Sequence, residues 1–272
     1  MKKFIIIISL FFTISIVYSQ KINSKWASDK IVVDGNNDDW IKMPSMFDAG
    51  TKMLYEFRND DQYLYLIFEL TDKMYQKKFM KAGFHIGFKI KTKPKLDASI
   101  DFLPQNIGIK MSSEEERNDF NEIRQLYLLK TDYAKVNGFL HAKSVINRNI
   151  DSSIDFTYNI GWTDNKNMIV EIKVPINEFY ESPEDIDNFK TPIKMTYVFN
   201  AMRQPSKGEY NASGGMGRGN SRGGMKQGGR PGGGMRRGGS NMGRNEDNIQ
   251  QRQNLFSEQK IKFKLFLNSV KK

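Results

Sequence analysis

The stretch from Met53 to Leu70 constrains this chain more than any other. Residues 53–58 and 63–70 are aromatic and β-branched runs, separated by the polar Asn59-Asp60-Asp61-Gln62. That pattern specifies a β-hairpin closed by a four-residue loop. Upstream, Ile31-Val32-Val33 reads as a short strand ended by Asp34-Gly35. Glycine accepts the positive φ of a tight turn, and aspartate bonds its own backbone. Trp40 follows a polar loop and offers a large apolar lid for one end of a core.

Further strands follow. Residues 83–91 alternate, with Phe84, Ile86, Phe88 and Ile90 on one face and His85, Gly87, Lys89 and Lys91 on the other. Residues 139–148, 154–160, 167–174, 194–202 and 259–267 also read as strands, and Pro175 ends the third of these. Residues 72–81 read as a basic connection, and 100–111 as irregular to extended. Ser112-Ser113-Glu114-Glu115-Glu116 carries a capping-box pattern and predicts one helix, with Phe120, Ile123, Leu126 and Tyr127 at helical spacing. The expected fold is all-β: a jelly-roll-like antiparallel β-sandwich with one peripheral helix.

Between the last two strands, residues 204–258 form an insert of low complexity. Gly214 to Arg244 holds fourteen Gly, seven Lys or Arg, four Met and no acidic residue. Such a stretch cannot bury enough apolar surface to offset its backbone entropy, so a long disordered loop is expected. Closure cost grows only logarithmically with loop length, so the flanking strands can still pair.

Met1-Lys2-Lys3, the apolar run from Phe4 to Val17 and the small residues near Ser19 read as a secretory signal peptide over residues 1–19, cleaved before Gln20. The other reading, an uncleaved anchor, suits so short a run poorly. Periplasmic or extracellular localisation follows. A lipoprotein anchor is excluded, because the chain has no cysteine. The same lack excludes disulfides, thiolate metal sites and a cysteine nucleophile. The net charge is +11, and the two lysines of the leader leave +9. That sign favours anionic partners.

Chemistry is sparsely provided for. His85 and His141 lie in separate strands, without the spacing of a metal pair. No nucleophile elbow, P-loop or zincin motif occurs. Asp38/Asp39 and Asp60/Asp61 read as turn residues, with a structural Ca²⁺ site as the minority alternative. No other cofactor is implied, and an enzymatic role is not favoured.

Two pieces together resemble the family 9 carbohydrate-binding modules and their DOMON-type relatives. One comprises Asp34, Gly35, Asp39 and Trp40, followed by Asp60, Asp61, Tyr63, Leu64, Tyr65 and Asp72. The other is Trp162 followed by Ile169-Val170-Glu171-Ile172-Lys173-Val174-Pro175. The resemblance covers roughly residues 28–203 and the last strand, and makes residues 20–203 with 259–272 one sandwich domain. It implies Trp40 and Trp162 as structural tryptophans and leaves Trp26 unassigned. It further implies an aromatic platform for a sugar, which falls here on Phe79 and Tyr75, with Arg203 and Tyr210 at the root of the insert. The family's second platform loop has become the insert and lacks tryptophan.

The function expected from the resemblance is recognition of extracellular or cell-wall glycan, without catalysis. Alternatives are an accessory role in glycoside hydrolysis and a structural or interaction role. In the latter, Arg218, Arg222, Arg230, Arg236, Arg237 and Arg244 of the insert would bind a polyanion or partner. Copper binding by the insert's methionines and haem binding, known among distant sandwich relatives, are minor readings.

Overall fold

The computed structural model describes residues 20–40, 44–91, 95–105, 116–142, 144–148, 155–181, 191–203 and 253–268. The strands in chain order are β1 Gln20–Asn23, β2 Lys25–Trp26, β3 Met46–Asp48, β4 Met53–Asn59, β5 Tyr63–Leu70, β6 Phe84–Ile90 and β7 Leu96–Phe102. After these come β8 Tyr133–Asn137, β9 Val145–Asn147, β10 Thr157–Trp162, β11 Met168–Pro175, β12 Ile193–Phe199 and β13 Gln259–Phe266. Helix α1 spans Lys73–Ala82 and α2 spans Glu116–Lys130.

The strands form two sheets. The seven-stranded sheet has the order β1-β13-β12-β6-β7-β8-β9, and the other runs β10-β11-β5-β4-β2, with β3 also paired to β4. All pairings are antiparallel except β1 on β13 and β2 on β4, made by the N-terminal lead-in. The β-sandwich expected from sequence is therefore present, with two parallel edges added.

Between the sheets lies an aromatic core. Phe57 stacks on Phe263, Phe68 meets Phe84 edge to face, and Tyr197 contacts Tyr55. Such packed rings contribute beyond their buried area. Asn59 ties the sheets at one corner: it exchanges hydrogen bonds with Asn268 and receives the Ser24 hydroxyl.

The two sheets differ at their outer faces. β5 and β11 are buried at nearly every position, as their near-continuous apolar runs require of strands covered on both sides. The cover is residues 27–40, whose Ile31 and Trp40 pack on Tyr65, Ile67 and Ile169. In contrast, β7 alternates between buried and more exposed positions, so the seven-stranded sheet leaves one face open.

Several expectations are corrected. Ile31–Val33 joins no ladder, and the Val32 amide donates to Asp39 Oδ2 at 2.8 Å. The basic connection at 72–81 is α1. Asp72 caps it by accepting from the Met74 and Tyr75 amides, and Tyr75 and Phe79, one turn apart, both point inward. Residues 96–102, not the run from 100 onward, form β7. Residues 139–148 hold only the short β9, because the chain turns away after β8. Leu126 is exposed, since Ile123 and Tyr127 already define the inward face of α2. The capping box, the signal peptide and residues 204–252 lie outside the described residues.

The two halves of the sequence motif meet at a backbone contact. Gly35 has φ of 84°, and a Cβ on Gly161 would stand 2.1 Å from the Gly35 carbonyl oxygen. Gly161→Ala is therefore expected to cost about 1–3 kcal/mol in urea unfolding. Gly87→Ala, whose Cβ would meet the tip of His85 at 3.1 Å and otherwise only ordinary contacts, is expected to stay within about 0.5 kcal/mol of wild type. Equal stability of the two variants would refute the contact.

Candidate functional site

Three places could carry function: the buried carboxyl of β11, the root of the insert, and the open sheet face.

Glu171 sits at the centre of β11 and is fully buried. Its carboxylate accepts from Trp40 Nε1 at 2.6 Å, the Gly35 amide at 2.7 Å and the Asp34 amide at 3.0 Å. Burial pushes this carboxyl up to about 8, against the pull of those N–H donors. A raised carboxyl often marks an acid–base residue. Here its oxygens are occupied and sealed under Trp40, which is itself overlaid by the Arg58 guanidinium at 5.0 Å. The group fastens residues 34–40 to the sheet and has no exposed surface to offer a substrate. Glu56 plays a related part on β4, where Lys25 and Arg58 both approach it at 2.7 Å. Burial raises its carboxyl, and hydrogen bonds from Lys25, Arg58 and Ser45 outweigh this and hold it below the ordinary range.

The aromatic candidates for a sugar platform are inside. Phe79 is packed among Phe84, Phe102 and Tyr127. Tyr75 is buried, and its hydroxyl donates to the Gly50 carbonyl at 2.8 Å. Neither ring presents a face to solvent, because the helix that carries them turns its apolar side to the core. Arg203 is exposed at the root of the insert. Tyr210 and Arg218, Arg222, Arg230, Arg236, Arg237 and Arg244 lie outside the described residues. Trp162 is half-buried, with its Nε1 on Gln76 and the Arg124 guanidinium 5.3 Å from its ring centroid. Trp26 is half-buried in β2.

The root of the insert is a built feature that sequence reasoning missed. The Met202 amide donates to the Leu255 carbonyl at 3.0 Å, so the two flanks are tied. Residues 253–255 form a helical turn with Leu255 buried, so the last part of the segment assigned to the insert packs on the sandwich. Lys78, fully buried on α1, donates to the carbonyls of Asn254 and Ser257 at 2.6 Å each and to Gln259 Oε1 at 2.9 Å. Burial lowers its ammonium to about 8. A lysine in a run of basic residues gave no sign of this in the sequence.

Of the two acidic pairs, Asp60 behaves as a turn residue. Asp60 accepts from the Gln62 and Tyr63 amides at 2.7 Å each and from the Tyr65 hydroxyl at 3.0 Å. Asp38 accepts from the Asn36 amide group at 2.6 Å. Among the described residues, no three carboxylate or imidazole groups converge as a cation site would require.

The open face gathers polar side chains. His85 Nδ1 lies 2.6 Å from Asp101 Oδ1, and the Ser99 hydroxyl donates to the other oxygen of the same carboxylate at 2.9 Å. Burial raises Asp101, and the bonds from His85 and Ser99 outweigh it, leaving the carboxyl below the ordinary range. Ser99 is thus bonded to the aspartate rather than to the imidazole, which is not the arrangement of an activated nucleophile. His141 is exposed, and its backbone amide is held by Glu178. The face therefore offers hydrogen-bonding groups and charge.

No family model and no curated protein matches the chain. Among solved structures, a carbohydrate binding module family 9 from Caldicellulosiruptor kristjanssonii in complex with glucose aligns at 11% identity with a TM-score of 0.29. The alignment covers 68% of this chain and 80% of that chain.

Glu171 binds its proton more tightly folded than unfolded. Its contribution to stability therefore falls as pH rises from about 4.5 to about 8 and is level above that, with a slope of at most about 1.4 kcal/mol per pH unit. Urea unfolding across this window is expected to give a flatter profile for Glu171→Gln than for wild type. Identical profiles would refute the assignment. At neutral pH, Trp40→Phe should cost about 1–3 kcal/mol by stranding the carboxyl oxygen that its indole serves.

Proposed function

We propose that this chain is an exported, non-catalytic binding module for extracellular or cell-wall glycan. One observation carries the reading: the sandwich seals one outer face with its own N-terminal segment and leaves the other outer face open and polar. Sugar hydroxyls need donors and acceptors held by a rigid scaffold, and Thr196, Ser99 and Asn137 line adjoining strands of that face. The sequence resemblance to family 9 carbohydrate-binding modules points the same way. The sugar contacts differ from those that resemblance implies, because Phe79 and Tyr75 are committed to the core.

A second reading is favoured by the tie between Met202 and Leu255. It fixes both ends of the basic Gly/Arg-rich segment to the sandwich, as expected of a scaffold that displays a polyanion- or partner-binding loop.

Binding of the purified protein to a panel of neutral and acidic glycans, followed by titration calorimetry, tests the first reading. Measurable heat with at least one glycan, retained after deletion of residues 213–245, is the expected result. Heat that disappears with the deletion would transfer the function to the loop. Export is tested by sequencing the N-terminus of the protein recovered outside the cytoplasm: a start at Gln20 is expected, and a start at Met1 would remove this part of the proposal.

A further inference from the structure

We infer that the open face of the seven-stranded sheet binds an extended acidic glycan along a row of four lysines: Lys21, Lys264, Lys194 and Lys89. The inference rests on the glycan-binding reading and adds to it the ligand class and the place.

Register alone makes the row. Lys21 of β1 stands opposite Lys264 of β13, Lys264 opposite Lys194 of β12, and Lys194 opposite Lys89 of β6. Neighbouring strands lie about 4.8 Å apart, so the row runs about 14 Å across the strands. Its far end is closed by Asp97, whose carboxylate is 2.7 Å from Lys89 Nζ. Along β13, Lys262 and Lys260 extend the positive edge at every second position.

Like charges directly opposite one another weaken a sheet. Here three such pairs follow in succession. The core does not need them, since the inward residues Met195, Phe88 and Phe263 of the same strands do the packing. A linear anion laid across the strands turns each repulsion into attraction, and its charged groups would meet one ammonium about every strand spacing.

The next row selects among polyanions. Register aligns Lys262, Thr196, Gly87, Ser99 and Asn137. Gly87 adds no side chain of its own and is overlaid by the tip of the His85 imidazole, so Thr196 and Ser99 flank a polar ring edge, giving a polar floor for sugar hydroxyls. Neither row contains an aromatic side chain on which bases could stack, nor a large apolar one to enter a lipid surface.

The test measures binding of the intact protein to polygalacturonate, with uncharged dextran, a single-stranded DNA and phosphatidylserine vesicles as comparators. The double variant Lys194→Glu, Lys264→Glu is measured beside wild type, with circular dichroism to confirm the fold. Polygalacturonate affinity is expected to fall by about tenfold or more in the double variant and to weaken with salt in wild type. Lys194→Thr alone is expected to weaken binding while holding or raising the melting temperature, since it relieves two lysine pairs. An unchanged affinity in the double variant overturns the inference, because the Arg/Gly segment is intact in both proteins. Binding to dextran but not to polygalacturonate overturns it while leaving the glycan reading in place. Failure to bind any glycan overturns both. DNA or vesicles held as tightly through the same lysines would overturn the choice of an acidic glycan.

Discussion

The structure depends on one buried carboxyl group. Glu171 joins parts of the chain that are about a hundred and thirty residues apart in sequence, by accepting from the Trp40 indole and from the amides of Asp34 and Gly35. An unpaired carboxyl group at that depth would be costly. The N-terminal segment must therefore close over it, and in closing it buries Ile31 and Trp40 on the outer side of β5 and β11. The contact of Gly35 with Gly161 is the steric side of the same junction, because only two glycines allow the backbones to approach so closely.

That closure gives the sandwich its polarity. One sheet is covered on both sides, so its central strands are apolar throughout. The other sheet is covered on one side only, so its strands alternate, and their outward positions are free to carry charge. Lysines occupy many of those positions. The chain's basic character is thus partly organised by the fold into a local field, in addition to whatever the Gly/Arg-rich segment contributes.

The root of that segment illustrates how a fold accommodates a long insertion. A single backbone hydrogen bond ties its flanks, Leu255 buries an apolar anchor, and Lys78 satisfies carbonyls that the short turn at 253–255 leaves over. β12 and β13 then pair along their whole length, as if the connection were short.

By itself, the sequence determined the strands whose side chains alternate or run apolar without break, because the period of two and the double burial are local properties of a strand. The hairpin of β4 and β5 and the strands β6, β11 and β13 were legible for that reason, and the turn role of Asp60 from its place in the polar hairpin loop. The signals for α1 were also present, in the Asp72 cap and the spacing of Tyr75 and Phe79, but its many lysines hid them. Only the tertiary structure decided what met what. Glu171 finding Trp40, Lys78 finding the carbonyls near Leu255, His85 finding Asp101, and four lysines from four strands falling into one row all depend on register and on layer contacts. These relations link residues far apart in the chain, and no local pattern encodes them. The same physics withdrew Phe79 and Tyr75 from the surface: an aromatic residue is equally suited to a sugar platform and to a core, and only burial tells the two apart.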